Sequence, residues 1–137
     1  MKTKSVIANI FLPLLIGLVI YVLCRPDTII THLIRSVMPA IPDLSDCMQI
    51  NTLTRFINNY ACDILWSYAL TFCVALCVRS TQKVFIVCSL FCCFIETVQL
   101  CNLFALTFDF FDITVEVITV IIGLLVIKIF KLIPMEA

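Results

Sequence analysis

Six polar residues stand out in a chain that is otherwise strongly apolar: Asp63, Glu96, Gln99, Asp109, Asp112 and Glu116. Glu96 and Gln99 are three residues apart, so on a helix they share a face. Asp109, Asp112 and Glu116 follow one another at spacings of three and four and would share a face in the same way. Carboxyls gathered like this suit three kinds of chemistry. They can bind a polar ligand, they can work as an acid and base pair, or they can carry protons or ions across a barrier. For acid–base work the pair would be Glu96 with Asp112 or Glu116. No Ser/His, Cys/His or metal constellation accompanies them, which weighs against an enzyme, and no residue is assigned a catalytic role.

The elements that must position these residues follow from composition. Of 137 residues, 63% are hydrophobic and only 13% charged, and the mean hydropathy is +1.17. A soluble domain runs at roughly 45–50% apolar and about 25% charged. The same figures exclude a disordered chain. A net charge of +0 leaves no electrostatic footprint for nucleic acid. The chain therefore reads as a single all-α integral membrane domain. A helix needs about 20 apolar residues to cross a bilayer core, and four runs qualify: 5–24, 60–78, 84–103 and 113–133. These runs do not alternate in polarity, so they are helices and not barrel strands. The first is too long for the h-region of a signal peptide and has no small-residue cleavage site after it. Pro13 is expected to kink it.

Lys and Arg set the orientation. With the N-terminus inside, the inner segments hold Lys2, Lys4, Arg79, Lys83, Lys128 and Lys131, and the outer segments hold Arg25, Arg35 and Arg55. Both termini are thus expected in the cytoplasm. The outer segment 25–59 has a helical pattern of its own. Ile29, Ile30, Leu33, Ile34, Val37 and Met38 form one apolar face, with Thr31, His32, Arg35 and Ser36 opposite. Asp27 is the expected N-cap and Pro39 the stop. This predicts a short interfacial helix in the first outer loop, with Arg35 facing water or phosphate. A second weak helix is expected from about Ser45, with Ile50, Leu53, Ile57 and Tyr60 on one side.

Nine cysteines bring no CxxC pair and no zinc-type spacing, so no metal and no cofactor is expected. Cys73, Cys77, Cys88 and Cys92 read as small apolar residues inside spans. Cys24, Cys47, Cys62 and Cys101 fall near the outer face, where an oxidising compartment would allow a disulfide. His32 reads as a solvated residue.

Each intramembrane acid has a plain structural reading beside the functional one. Asp109 or Asp112 would cap the fourth helix, and Asp63 would cap the second. Glu96 and Glu116 resist that reading. Glu96 lies about 18 Å into its span, and an isolated carboxylate there must be protonated, paired or hydrated. The expected arrangement is one outward-opening polar pocket between the second, third and fourth spans, lined by Glu96, Gln99, Asp112 and Glu116 with Asp63 and Asp109 near it.

Glu96-Thr97-Val98-Gln99, then Phe108-Asp109-Phe110-Phe111-Asp112-Ile113-Thr114-Val115-Glu116, with Gly123 in the last helix, resemble the VanZ-like family of small bacterial membrane proteins. Asp63-Ile64-Leu65-Trp66-Ser67-Tyr68 is similar to the second helix of some members. The family pattern is Glu-x-x-Gln, a loop Arg, Asp-x-x-Asp, and an Asn four residues on. Here no Arg precedes Asp109, and Glu116 stands where Asn is usual. The resemblance implies a multi-pass protein of the bacterial inner membrane and a theme of cell-envelope chemistry and glycopeptide antibiotic resistance. The partners it implies are membrane lipid and a lipid-linked or glycopeptide ligand, with self-association open. A membrane enzyme on a lipid-linked substrate, a small transporter and a scaffold subunit remain the alternatives.

The charge asymmetry gives the first test. A C-terminal reporter should read cytoplasmic, and a periplasmic reading would reverse the topology.

Overall fold

The computed structural model describes residues 2–24, 29–38, 40, 42, 44, 51–100 and 110–136, with the side chains of 29, 30, 99 and 100 outside that description. Five helices occur in it: α1 (Thr3–Cys24), α2 (Ile29–Val37), α3 (Thr52–Cys77), α4 (Thr81–Leu100) and α5 (Phe110–Ile129). All but α2 are long and apolar enough to cross a membrane. This is the architecture of an all-helical, multi-pass membrane protein.

The bounds differ from the sequence expectation in two instructive places. The helix expected from residue 60 starts at Thr52, so the weak segment from 52 onward is the first part of α3, and residues 45–50 lie outside the described residues. The reason is local. Asn51 caps the helix, its Oδ1 accepting from Thr54 N–H at 2.9 Å, while the Thr54 hydroxyl oxygen accepts from Asn51 N–H at 3.2 Å. At 26 residues α3 is about 39 Å long, so it outreaches a hydrocarbon core of about 30 Å. At the far end of the chain, α5 stops at Ile129 instead of running to 133. Lys131 turns left-handed with φ 50. Leu132 N–H then donates to Ile127 C=O at 3.0 Å and Lys131 N–H to Lys128 C=O at 3.3 Å. That is a Schellman stop, closed by the buried pair Ile127 and Leu132.

α3 is the hub, packing against α1, α4 and α5. α1 meets it at Gly17, where the Cys62 thiol donates to the Gly17 carbonyl at 3.7 Å. Lower down, Tyr68 donates its hydroxyl proton to Asn9 Oδ1 at 2.6 Å. Pro13 sits inside α1 and cannot donate to the Asn9 carbonyl. Trp66 meets Phe91 of α4 edge-on at 6.1 Å. On the α5 side, Gly123 faces Thr71.

One end of the bundle is tied by main-chain bonds. Lys2 N–H donates to Leu132 C=O at 3.2 Å, Glu136 N–H to Arg79 C=O at 2.7 Å, and Thr81 N–H to Glu136 C=O at 3.3 Å. The C-terminal segment thus straps the α3–α4 turn, and Lys2 joins the start of α1 to the end of α5.

The short helix α2 exists where expected, but Thr31 and Arg35 of its polar side turn inward while His32 and Ser36 stay exposed. Thr31 is fully buried, and Arg35 is partly buried with Nη2 donating to the Val22 carbonyl at 3.4 Å. Leu33 and Val37 are instead exposed, at 67% and 77%. The reading that put Arg35 toward water or phosphate is corrected here. A helix beside lipid can leave apolar side chains outside, whereas its polar atoms need protein partners. His32 is exposed as expected. The proposed cap Asp27 lies outside the described residues.

The two glycine contacts differ and give a paired test. A Cβ on Gly17 would stand 3.6 Å from Leu65 Cβ, an ordinary contact, whereas one on Gly123 would stand 3.1 Å from Thr71 Cβ and Cγ2. Gly17→Ala should keep or raise the Tm in detergent, since Ala gains about 1 kcal/mol of helix propensity. Gly123→Leu should lower stability by at least about 2 kcal/mol through overpacking. Equal Tm values for the two variants would contradict the tight α3–α5 crossing.

Candidate functional site

Three helices each bring one inward stripe at a spacing of three or four residues. On α3 it is Asp63, Ser67, Thr71 and Ala75. On α4, read backward, it is Glu96, Cys92, Cys88 and Val84. On α5 it is Asp112, Glu116, Thr119 with Val120, Gly123 and Ile127. Distances along the helices place these in register. Asp63 lies fourteen residues before the end of α3, Glu96 fifteen after the start of α4, and Glu116 thirteen before the end of α5. All three are about 20 Å from the strapped end. Below them come Ser67, Cys92 and Thr119, then Thr71, Cys88 and Gly123, then Ala75, Val84 and Ile127.

Burial follows the stripes. Glu96 is 1% exposed and Glu116 0%. Asp63 and Asp112 are partly buried. Glu116 interacts electrostatically with Asp63, Glu96 and Asp112, so α3, α4 and α5 bring these four carboxyls together. The Cys92 thiol is also a neighbour of the Glu116 carboxyl, yet neither Glu116 oxygen completes a hydrogen bond among the described residues. The Cys88 thiol lies against Thr71 one layer down.

The hydroxyls of the seam direct their protons to their own helices. Ser67 donates to the Asp63 carbonyl at 2.6 Å, Thr71 to the Ser67 carbonyl at 2.9 Å and Thr119 to the Val115 carbonyl at 2.8 Å. Their remaining lone pairs can only accept. Together with the carboxyls they make a site rich in acceptors. Bases on the same helices are remote along them: Arg55 is eight residues from Asp63, Lys83 thirteen from Glu96 and Lys128 twelve from Glu116. The layer below is apolar and tightly packed, with Ala75, Val84 and Ile127 all fully buried.

Of the six residues singled out in the sequence, the structure brings four together: Asp63, Glu96, Asp112 and Glu116. The side chain of Gln99 and the whole of Asp109 lie outside the described residues. Ser67, Thr71, Thr119, Cys88 and Cys92 belong to the same seam and were not assigned to the site. Their signal was present as the i, i+4, i+8 series from Asp63 and the matching series backward from Glu96. Among the described residues no three His, Cys, Asp or Glu side chains are placed to hold a metal ion together. Cys24 is buried and the Cys62 thiol donates to the Gly17 carbonyl, while Cys47 and Cys101 lie outside the described residues.

Residues 52–108 match the model of a family described as a protein of unknown function (DUF2809). This similarity covers α3 and α4, somewhat under half of the chain, and attaches no activity to it. No curated protein and no solved structure matches the chain.

A structural carboxyl and a functional one respond differently to removal. Glu96→Gln should preserve the fold, because amide and carboxyl have similar shape and both accept hydrogen bonds. Glu116→Leu should leave the Tm unchanged or raise it, since replacing a buried polar group by an apolar one of similar size is often neutral or stabilising. A loss above about 2 kcal/mol for Glu116→Leu would make that carboxyl part of the scaffold.

Proposed function

We propose that the chain is an envelope membrane protein whose acidic seam between α3, α4 and α5 binds a polar ligand rich in hydrogen-bond donors. A lipid head group or a cell-wall-related or glycopeptide ligand carries such donors as ammonium, hydroxyl or amide groups. The observation that carries this reading is Glu116. It is fully buried, surrounded by other acids, and neither of its oxygens has a hydrogen-bond partner among the described residues. A buried acceptor left in that state costs free energy of roughly 1–3 kcal/mol or more, which a donor from a ligand would offset. The packed apolar layer at Ala75, Val84 and Ile127 supports a one-ended pocket in preference to a conduction path. The VanZ-like pattern on α4 and α5 supports placing the pocket on the outer side of a bacterial inner membrane, with both termini in the cytoplasm. It also supports a link to glycopeptide antibiotic resistance.

The test uses ligands that differ in donors. Phosphatidylethanolamine has an ammonium with N–H groups, whereas phosphatidylcholine has none. Phosphatidylethanolamine or teicoplanin should raise the Tm of the purified protein, because a ligand selective for the folded state stabilises it by mass action. Phosphatidylcholine should not. The double variant Glu96→Gln/Glu116→Gln should lose the rise while remaining folded. No rise with either donor ligand, or the same rise in the double variant, would leave the scaffold alternative standing.

A further inference from the structure

A second site, unrelated to the acids, lies at the strapped end. Both α1 and α5 pack on α3, but they make little or no contact with each other, so a wedge opens between them. The bond from Lys2 N–H to the Leu132 carbonyl closes the wedge at its tip. What remains is a crevice of about 310 Å³ lined by Lys2, Ser5, Asn9, Val126, Phe130 and Leu132. Its walls are of two kinds. Val126, Phe130 and Leu132 present hydrocarbon, and Lys2, Ser5 and Asn9 present a cation, a hydroxyl and an amide. The Asn9 amide is held in place, with Nδ2 donating to the Ser5 carbonyl at 2.8 Å and Oδ1 accepting from Tyr68.

The charge around this end is one-sided. Lys2, Lys4, Arg79, Lys83, Lys128 and Lys131 are all exposed, and Glu136 is the acid among the described residues there. In a membrane, a crevice open to the side is filled by lipid. We propose that this crevice is a binding site for an anionic phospholipid. One acyl chain lies along Val126 and Phe130, and the phosphate sits at Lys2. Charge complementarity selects the occupant: basic pockets between spanning helices bind acidic head groups, each base near the surface adding to the attraction. A zwitterionic lipid would fill the same apolar wall without satisfying the excess of cations.

The full-length protein, reconstituted in nanodiscs of equal parts phosphatidylglycerol and phosphatidylcholine, is released into mild detergent and its retained lipid read by native mass spectrometry. The wild type should retain phosphatidylglycerol in clear preference. Lys2→Gln should lower that retention about fivefold, the loss expected for one surface charge. Ser5→Trp, which fills the crevice from an exposed position without removing a charge, should abolish retention of either lipid. Lys83→Gln removes an exposed base on α4, away from the crevice, and should leave retention near the wild-type level. Equal retention of the two lipids by the wild type would overturn the proposal. So would unchanged retention in Lys2→Gln and Ser5→Trp, or a loss in Lys83→Gln as large as that in Lys2→Gln, which would mean diffuse surface charge. Both Glu96→Gln and Glu116→Gln should retain phosphatidylglycerol normally, which separates this site from the acidic seam.

Discussion

Hydrocarbon offers no hydrogen-bond partner, and the rotation of α3, α4 and α5 about their own axes is set by that constraint. Each of these helices carries polar atoms at intervals of three or four residues through its middle. Turned outward, Glu96 or Glu116 would face lipid with nothing to accept from or donate to. Turned inward, the three stripes meet, and Ser67, Thr71 and Thr119 use their own helices to satisfy their hydroxyl protons. The exposed faces are then left to Leu90, Phe94, Ile118, Ile122 and Leu125, which lipid solvates well. On α2 the same constraint turns Thr31 and Arg35 inward, with Arg35 reaching back to the end of α1, while Leu33 and Val37 face outward.

The hub position of α3 follows from which faces remain. Its stripe from Asp63 to Ala75 is taken by α4 and α5. Cys62, Leu65 and Tyr68 look elsewhere and receive α1. With α1 and α5 on different sides of one helix, their own surfaces diverge. The wedge between them is a consequence of this geometry and not of any special loop. The strap at Leu132 and Glu136 then fixes how far it opens.

Much of this was legible in the sequence. Four spans, the helix after the first of them, and the inward placement of Glu96 and Glu116 all come from run length, periodicity and the cost of a carboxyl in lipid. The start of α3 was misplaced because Asn58, Asn59 and Arg55 depress hydropathy over turns that the Asn51–Thr54 capping box keeps helical. The end of α5 was misplaced because Lys131 in a left-handed conformation has no compositional signature; a Gly would have announced the stop. The orientation of Arg35 was misread because an amphipathic pattern says which residues share a face but not which face the protein covers. Ser67 and Thr71 were passed over since a hydroxyl in a span is unremarkable alone. Only the register of three helices makes them part of a seam.

That register also explains why cysteine, and not serine, occupies positions 88 and 92. Moving down the seam, the side chains change from carboxyls to hydroxyls and thiols, and then to Gly123, Ala75, Val84 and Ile127. Polarity falls in steps toward an apolar layer. Serines at 88 and 92 would add two strong donors at the depth where Ser67 and Thr71 already direct theirs to backbone carbonyls, and would extend the polar part of the seam downward. A thiol is nearly as small but a weak donor, and it behaves as a small hydrophobe when buried. It fills the space beside Thr71 and Glu116 while letting the polarity decline. The proposed ligand would have one favourable orientation in such a gradient, with its donors at the level of Glu96 and Glu116 and nothing polar beyond Thr71.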